Sequence, residues 1–593
     1  MKKSALRVLS AALISCIALT SCTALPKKSI IPSKAEAIQS KFDKLLDEFA
    51  EESFSEMPEI NYHYIFENPE DYGLEYKNYN ILNYDAIDMT DEEKQEKIED
   101  YEESLQKLLS FDKDYLTKSQ RALFENYKYE FETLIEYGVI EDYSSLLAPM
   151  SGFISNMGSS MFYEYRFAKE KDIEDYLKFA QDIPTALRTV LWHTQEQIAE
   201  NITPSDSVLE KNVEMLRDYA NETESPFIEG FNQKIDGADF LTDEQKASYK
   251  ERNLTLFKEK IFPEFTQAAD TLNGWIGKLK APKNLTELEG GDKYYEYLVE
   301  MYTCTEMTPD KLFKYLEKNL NLCIDKLHLI DQKDINDFYE GNYNLSVSTT
   351  DDILLLAQKK TNEIFPDFKD PGCVLTELPD SLCVDGILAY YMKPQIDSDA
   401  LNIARTNKIA LGGADTIDVL ATVSHETYPG HLYQTNFQIQ NNPHIADSCL
   451  SYVAYNEGWA DYASTFALKW AGLSQKMVDI YMLDYEIGQI MTAMIDIGVN
   501  YKGWDVAKIT KFTNKYLNFG YDEYSRSYYE FVTEDPGIIL SYPVGYLKLQ
   551  DIRQEVMDME GSNYNEYNFI FAFLKAGHGP FELVRKRVLN YFY

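Results

Sequence analysis

The stretch "DIEDYLKFAQDIPTALRTVLWHTQEQIAEN", residues 172–201, sets apolar side chains at three- and four-residue steps: Ile173, Tyr176, Leu177, Ala180, Ile183, Leu187 and Val190. That period is one stripe of an α-helix and not the alternation of a strand. The texture extends outward in both directions. "AEAIQSKFDKLLDEFAEESF" (35–54) repeats it, and "TPSDSVLEKNVEMLRDYANE" (203–222) opens on Ser, Thr and Asp capping chemistry before taking up helical spacing. "TPDKLFKYLEKNLNLCIDKLHLI" (308–330) is another capped helix, and 241–279 reads as one long helix interrupted near Pro263. Only residues 370–414 change character, being richer in Pro, Gly and β-formers. There "ALNIA" (400–404) and "NKIALGG" (407–413) read as short strands of a small hairpin or ribbon. Helical spacing then returns and holds to the C-terminus. With no fixed repeat and no composition break, residues 36–593 are expected to form a single, mostly α, large helical domain with a small β element.

Composition agrees. Of 593 residues 45 % are hydrophobic, which supplies a large core, and 27 Gly with 20 Pro argue against an all-β or low-complexity chain. A formal net charge of -41 excludes nucleic acid as a partner. The N-terminus reads "MKKSALRVLSAALISCIALTSC". Lys2, Lys3 and Arg7 precede an apolar run too short to span a bilayer, and Leu19-Thr20-Ser21-Cys22 follows. This resembles a bacterial lipobox, with residues 1–21 the signal peptide, Cys22 the lipidated residue and 22–35 a tether. The alternative is an ordinary secretory signal with an incidental Cys22. On the lipobox reading, the N-terminal lipid is the chain's sole membrane contact and the body folds outside the cytoplasm. The five remaining cysteines, an odd number without a close C-x-x-C pair, do not form a disulfide framework.

Chemistry concentrates in "ATVSHETYPGHLYQ", residues 421–434. The metallopeptidase pattern H-E-x-x-H puts two imidazoles about 40° apart on a helix, where both reach one zinc ion. Here His425 and His431 are six residues apart, which on an unbroken helix turns them to nearly opposite faces, about 240° apart. The chain carries the means to undo this. Pro429 has no N–H to give the carbonyl of His425, and Gly430 tolerates unusual dihedrals. A break at Tyr428-Pro429-Gly430 would bring His431 back to the metal. Glu426 stands beside the first His, as a water-activating base would. Farther on, "AYNEGWADYAS" offers Glu457 as third ligand, with Asp461 one turn later to orient a liganding His through its other ring nitrogen. The competing reading is a chance pair of histidines among solvated acids.

At these residues the chain resembles the bacterial domain of unknown function family 885. The resemblance rests on His425 to His431 as H-E-x-x-P-G-H and on Glu457-Gly458-Trp459-Ala460, and extends to 163–184, 535–553 and 573–588. Leu432 and Pro543 stand where the family commonly has His and Lys. The family is similar in layout to helical gluzincin peptidases. That implies a two-lobed helical body around a channel, and a strand such as Lys408 to Gly413, with Gly412 and Gly413, pairing with substrate backbone. A purely structural hairpin is the alternative.

The expected mechanism follows. Zn is held by His425, His431 and Glu457, and Glu426 takes a proton from the bound water as it attacks a peptide carbonyl. Tyr542, which matches the family segment, or Tyr546 donates to the oxyanion, unless either is core. His578 and Arg405 are further candidates for binding a substrate carboxylate or oxyanion, and Tyr390 and Tyr391 for lining the cleft. The competing functions are a lipoprotein that binds peptides without cutting them, and a metal-dependent amidase or esterase on a non-peptide substrate.

Overall fold

The computed structural model describes residues 33–593 apart from 88, 139, 141–142, 384–386, 442–443 and 518–521, so the lipobox and Cys22 lie outside the described residues. Helices dominate, as the spacing requires. The stretch that opens with Asp172 is two helices, Glu170–Ala180 and Ile183–Ala199, divided where Pro184 enters near the start of the second. Its stripe is buried from Ile173 through Tyr176, Ala180 and Ile183 to Val190. The helix Lys34–Ser55 starts on a capping box, Ser33 with Glu36, and buries Phe42, Leu45, Leu46 and Phe49. The expected interruption near Pro263 is a π-helical turn, Phe257–Ile261, between Asp243–Leu256 and Phe262–Asn273. Proline cannot donate to the turn before it, and the widened turn absorbs the missing bond.

The β element is a three-stranded sheet of β1 (Cys373–Glu377), β2 (Ala389–Met392) and β3 (Asn402–Thr406), in the order β1-β3-β2. β1 runs parallel to β3, with Cys373 opposite Asn402, and β2 runs antiparallel to it, with Tyr391 opposite Ala404. This corrects two expectations. Residues 407–413 are no strand: Asn407 accepts from the N–H groups of Ile409 and Ala410, starting a short helix, Lys408–Leu411, that ends in an exposed turn at Gly412 and Gly413. β3, the strand that does form there, has neighbours on both sides and no free edge for a substrate.

Five helices carry the rest of the site: α1 (Thr416–Glu426), α2 (His431–Asn441), α3 (Val453–Trp470), α4 (Gln475–Asn500) and α5 (Ser541–Glu560). An aromatic core joins α2 and α3 to the C-terminal helices through Tyr433, Tyr455, Trp459 and Phe573. α3 and α5 cross at Gly458 and Gly545. A Cβ on Gly458 would stand 2.2 Å from the carbonyl carbon of Gly545, and one on Gly545 2.0 Å from the oxygen of Ala454. The five cysteines are free thiols. Among the described residues no helix is long and apolar enough to cross a membrane.

Candidate metal centre

The helix breaks where Pro429 and Gly430 stand. α1 ends at Glu426, Thr427 leaves helical geometry at φ −110° and ψ −104°, the Tyr428–Pro429 peptide is cis, and α2 begins at His431. The turn satisfies its own backbone: Thr427 N–H donates to the Val423 carbonyl at 3.0 Å and Gly430 N–H to Ser424 at 3.1 Å. Gly430 is obligatory, since a Cβ there would lie 1.8 Å from the carbonyl oxygen of His425. Trp459, fully buried on α3, donates its indole N–H to the carbonyls of Pro429 and Gly430 at 3.1 and 3.3 Å. The break therefore sits on the helix that carries Glu457. Its result is that the two imidazoles meet, ring centroids 4.6 Å apart and perpendicular.

Glu457 Oε2 lies 3.3 Å from His425 Nε2 and 3.5 Å from His431 Nε2. The ligand atoms of the three residues fall within 4.8 Å of one another, a group that could hold a metal ion. One turn along α3, Asp461 Oδ1 is 3.0 Å from His425 Nδ1, and Tyr485 on α4 donates its hydroxyl to the same carboxylate at 3.2 Å. Asp461 thus holds the Nδ1 side of His425 and leaves Nε2 facing Glu457. Glu426 Oε2 accepts the Tyr391 N–H from β2 at 2.9 Å, and Oε1 is 3.9 Å from His425 Nε2. The side chains of His425, Glu426, Glu457 and His431 keep 13 to 16 % of their surface, so solvent reaches the group.

The electrostatics follow from burial set against close charges. Burial works against a charged Glu457, but His431 and His425 outweigh it and hold its carboxyl well below the usual range. Burial pushes Glu426 up, only partly offset by His431 and His425. Tyr542, at the start of α5, has its hydroxyl raised first by the charge of Glu457, then by burial and by Glu426 and Asp461. Its hydroxyl therefore stays protonated.

Other predicted residues are placed elsewhere or differently. Tyr546, one turn beyond Tyr542, lies against Glu486, and its hydroxyl is raised by burial and then by the Glu486 charge. Arg405, on β3, is not free to take a substrate carboxylate. It pairs bidentately with the buried Glu164, Nε to Oε1 at 2.8 Å and Nη2 to Oε2 at 2.7 Å, and donates to Thr376. Tyr390 gives its hydroxyl to the same Glu164, while Tyr391 meets the site through its backbone. His578 pairs with Asp447 at 3.0 Å, edge-on to Tyr452, in the wall of a cavity of about 1000 Å³ whose lining includes none of the metal-centre residues. Sequence reasoning assigned no role to Tyr485 or to the indole of Trp459. Nothing marks one tyrosine among 45, and Trp459 was visible only as part of a motif.

The model of a bacterial protein family of unknown function, DUF885, matches residues 71–588. A solved structure described as a "putative lipoprotein" from Colwellia psychrerythraea is similar with a TM-score of 0.74 at 15 % identity, over 93 % of this chain and 99 % of that one. Another, a "putative lipoprotein of unknown function" from Shewanella oneidensis, has a TM-score of 0.59 at 15 % identity, over 92 % and 99 %. At that identity the likeness is one of fold. No curated protein matches the chain.

Proposed function

This chain belongs to the bacterial family of unknown function DUF885, and we propose that it is a zinc-dependent hydrolase, a peptidase cleaving short peptides outside the cytoplasm. One observation carries the reading. Glu457 Oε2 is buried with no hydrogen-bond partner, yet two imidazole nitrogens stand 3.3 and 3.5 Å from it. Ligands about 2.0–2.1 Å from a tetrahedral zinc are about 3.3 Å from each other. The spacing and the orphaned oxygen both fit an ion held by His425, His431 and Glu457, and two imidazoles with one carboxylate suit zinc. Zinc so held supplies Lewis-acid activation of water and of a carbonyl.

The chain's own groups do the rest. Burial has raised Glu426 toward the range of a working base, and the Tyr391 N–H fixes one of its oxygens. The other oxygen accepts the proton of the attacking water and returns it to the leaving amine. Tyr542 donates its hydroxyl to the developing oxyanion. Because Tyr391 N–H points from β2 away from β3, the outer edge of β2 lies beside Glu426 and is where substrate backbone would run. The extracytoplasmic placement is supported by the lipobox-like start and by the lipoprotein descriptions of the two similar structures.

The test is Glu426→Gln, with zinc measured by elemental mass spectrometry and hydrolysis on a panel of peptides, amides and esters. Wild type should carry about one zinc per chain and cut peptides. The variant should keep the metal and lose about 10²–10⁴-fold in turnover. A wild type that binds no zinc after loading, or a variant as active as wild type, defeats the proposal.

A further inference from the structure

The cavity of about 1000 Å³ whose wall holds His578 shares no lining residue with the metal centre, and its charge runs against that of the chain. The protein carries 98 acidic and 57 basic residues. Among the residues lining the cavity the balance is reversed: five exposed cations, Lys113, Lys118, Arg121, Lys575 and Lys586, stand against one exposed acid, Asp114. The other three carboxylates of the wall are half-buried and engaged within the protein. Asp43 accepts from the Gln120 amide at 2.6 Å, Asp447 pairs with His578 at 3.0 Å, and Glu125 is shared by Lys586 and Arg587 at 3.5 Å each. The wall is also firmly held. Asn126 and Arg587 both donate to the His578 carbonyl, at 3.0 and 3.2 Å, and a Cβ on Gly579 would come within 2.7 Å of Asn126 Oδ1.

The helix Lys34–Ser55 starts beside this wall. The Lys34 ammonium donates to the Tyr115 hydroxyl at 2.9 Å, the Gln39 amide donates to the Tyr115 carbonyl at 2.8 Å, and Gln39 and Asp43 are themselves part of the lining. Cys22, the residue a lipobox would lipidate, is eleven residues before Ser33, a reach of at most about 40 Å. A compact chain of this length has a radius of gyration of about 25 Å and is about 60 Å across. A tether shorter than the body keeps the face at Ser33 on the bilayer side. Tyr591, also in the wall, is 51 % exposed. An exposed tyrosine beside cations is what the headgroup level of a membrane selects.

We infer that this basic wall is a second membrane contact, which docks the body on the phosphates of anionic phospholipid headgroups in the bilayer that holds the lipid. It adds to the N-terminal lipid, which the sequence alone presents as the sole contact. The docking presupposes the anchor at Cys22 and is independent of the hydrolase reading. A body with a formal net charge of -41 is repelled by an anionic surface at a distance. Salt screens charges beyond about 8 Å, however, so at contact only the wall that touches the surface counts. There each basic residue strengthens attachment about fivefold. Lysine ammonium and the arginine fork both suit phosphate, and the first turn of the helix Lys118–Tyr137, which is part of the lining, adds the preference of a helix N-terminus for anions.

The test reconstitutes the mature lipoprotein into vesicles of phosphatidylcholine alone, or of phosphatidylcholine and phosphatidylglycerol in equal parts. Lysines are acetylated briefly and the extent is read by peptide mass spectrometry. Lys118, Lys575 and Lys586 should react at least about threefold more slowly on the phosphatidylglycerol vesicles. Lys333, exposed and outside the cavity wall, should react equally on both. In a Lys118→Gln, Arg121→Gln double variant, changed only at exposed positions, Lys575 should return to its phosphatidylcholine rate. Equal rates on the two vesicles, or a Lys575 still shielded in the variant, overturns the inference. So does inorganic phosphate that slows the three lysines as much on phosphatidylcholine, since the wall would then take a soluble phosphate. A protein that does not float with phosphatidylcholine vesicles carries no lipid, which defeats the anchor reading. Phosphatidylglycerol vesicles must then float it through the wall alone, or the docking falls as well.

Discussion

Replacing Gly430 with Ala tests how the histidines are brought together. A Cβ at this position would stand 1.8 Å from the carbonyl oxygen of His425 and 2.7 Å from that of Ser424, and real Cβ atoms essentially never come within 3.0 Å of such atoms. Opening 1.8 Å to 3.0 Å requires a shift of about 1.2 Å between residue 430 and the end of α1. His431 is the next residue and His425 owns the carbonyl, so the shift falls between the two imidazoles. Metal ligands tolerate only about 0.2 Å of error in distance, so a displacement several times larger removes His431 from the set. Overpacking of this kind costs about 1–3 kcal/mol of stability, which a chain of this size survives. Zinc affinity of the folded Gly430→Ala protein, measured by competition with a chromophoric chelator, should therefore fall more than about a hundredfold, beyond the usual effect of losing an outer partner. Gly412→Ala is the control, since its nearest neighbour would be an ordinary 3.4 Å away. A Gly430→Ala protein that binds one zinc as tightly as wild type would refute the argument that the close approach sets the site.

Asp461→Asn should lower zinc affinity about ten- to a hundredfold while the chain stays folded, because the negative charge behind His425 Nδ1 is lost while an accepting oxygen remains for His425 and Tyr485; the same chelator competition reads it. Arg405→Met strands the buried Glu164 without its partner and should cost about 3–5 kcal/mol in urea unfolding, with zinc content intact, as befits a structural pair. Asp496 accepts from Tyr295 and Gly537, yet burial pushes its carboxyl up to about 7. Unfolded, it titrates near its ordinary value of about 3.9. Between these values the native state holds a proton that the unfolded state has lost, so stability falls as pH rises through the window. Urea midpoints at acidic and neutral pH should therefore converge in Asp496→Asn, though Glu130, also raised to about 7 by burial, leaves some slope of the same sign.

Local pattern carried most of the helices, because a buried stripe must repeat at helical steps wherever it faces a core. It also singled out the residues that the fold brings together: His425, Glu426 and His431 lie within seven residues, and Glu457 and Asp461 share one helical face. What local pattern cannot carry is the choice of partner across the fold. Arg405 is spoken for by Glu164, 241 residues earlier, and His578 by Asp447, 131 residues earlier. In so acidic a chain no spacing singles out one carboxylate. Residues 407–413 failed for a different reason. β-forming side chains outweighed the one decisive group, the Asn407 side chain, which caps two N–H groups and turns the segment into a helix.

Three glycines explain why the centre needs so little side-chain invention. Gly430 lets the chain fold back onto the carbonyl of His425, and Gly458 lets α5 lie against α3 just beside Glu457. Gly545 completes that crossing from the other side, three residues after Tyr542. Each is a place where backbone touches backbone, and each adjoins a residue of the proposed site. Trp459 ties the arrangement together, because its N–H bonds the carbonyls of the broken turn while its ring fills the core behind Glu457. On the proposed reading, a side chain added at any of the three would move a ligand or the tyrosine by more than a metal site or an oxyanion donor can absorb. The glycines, silent as chemistry, are therefore as much a part of the centre as the histidines.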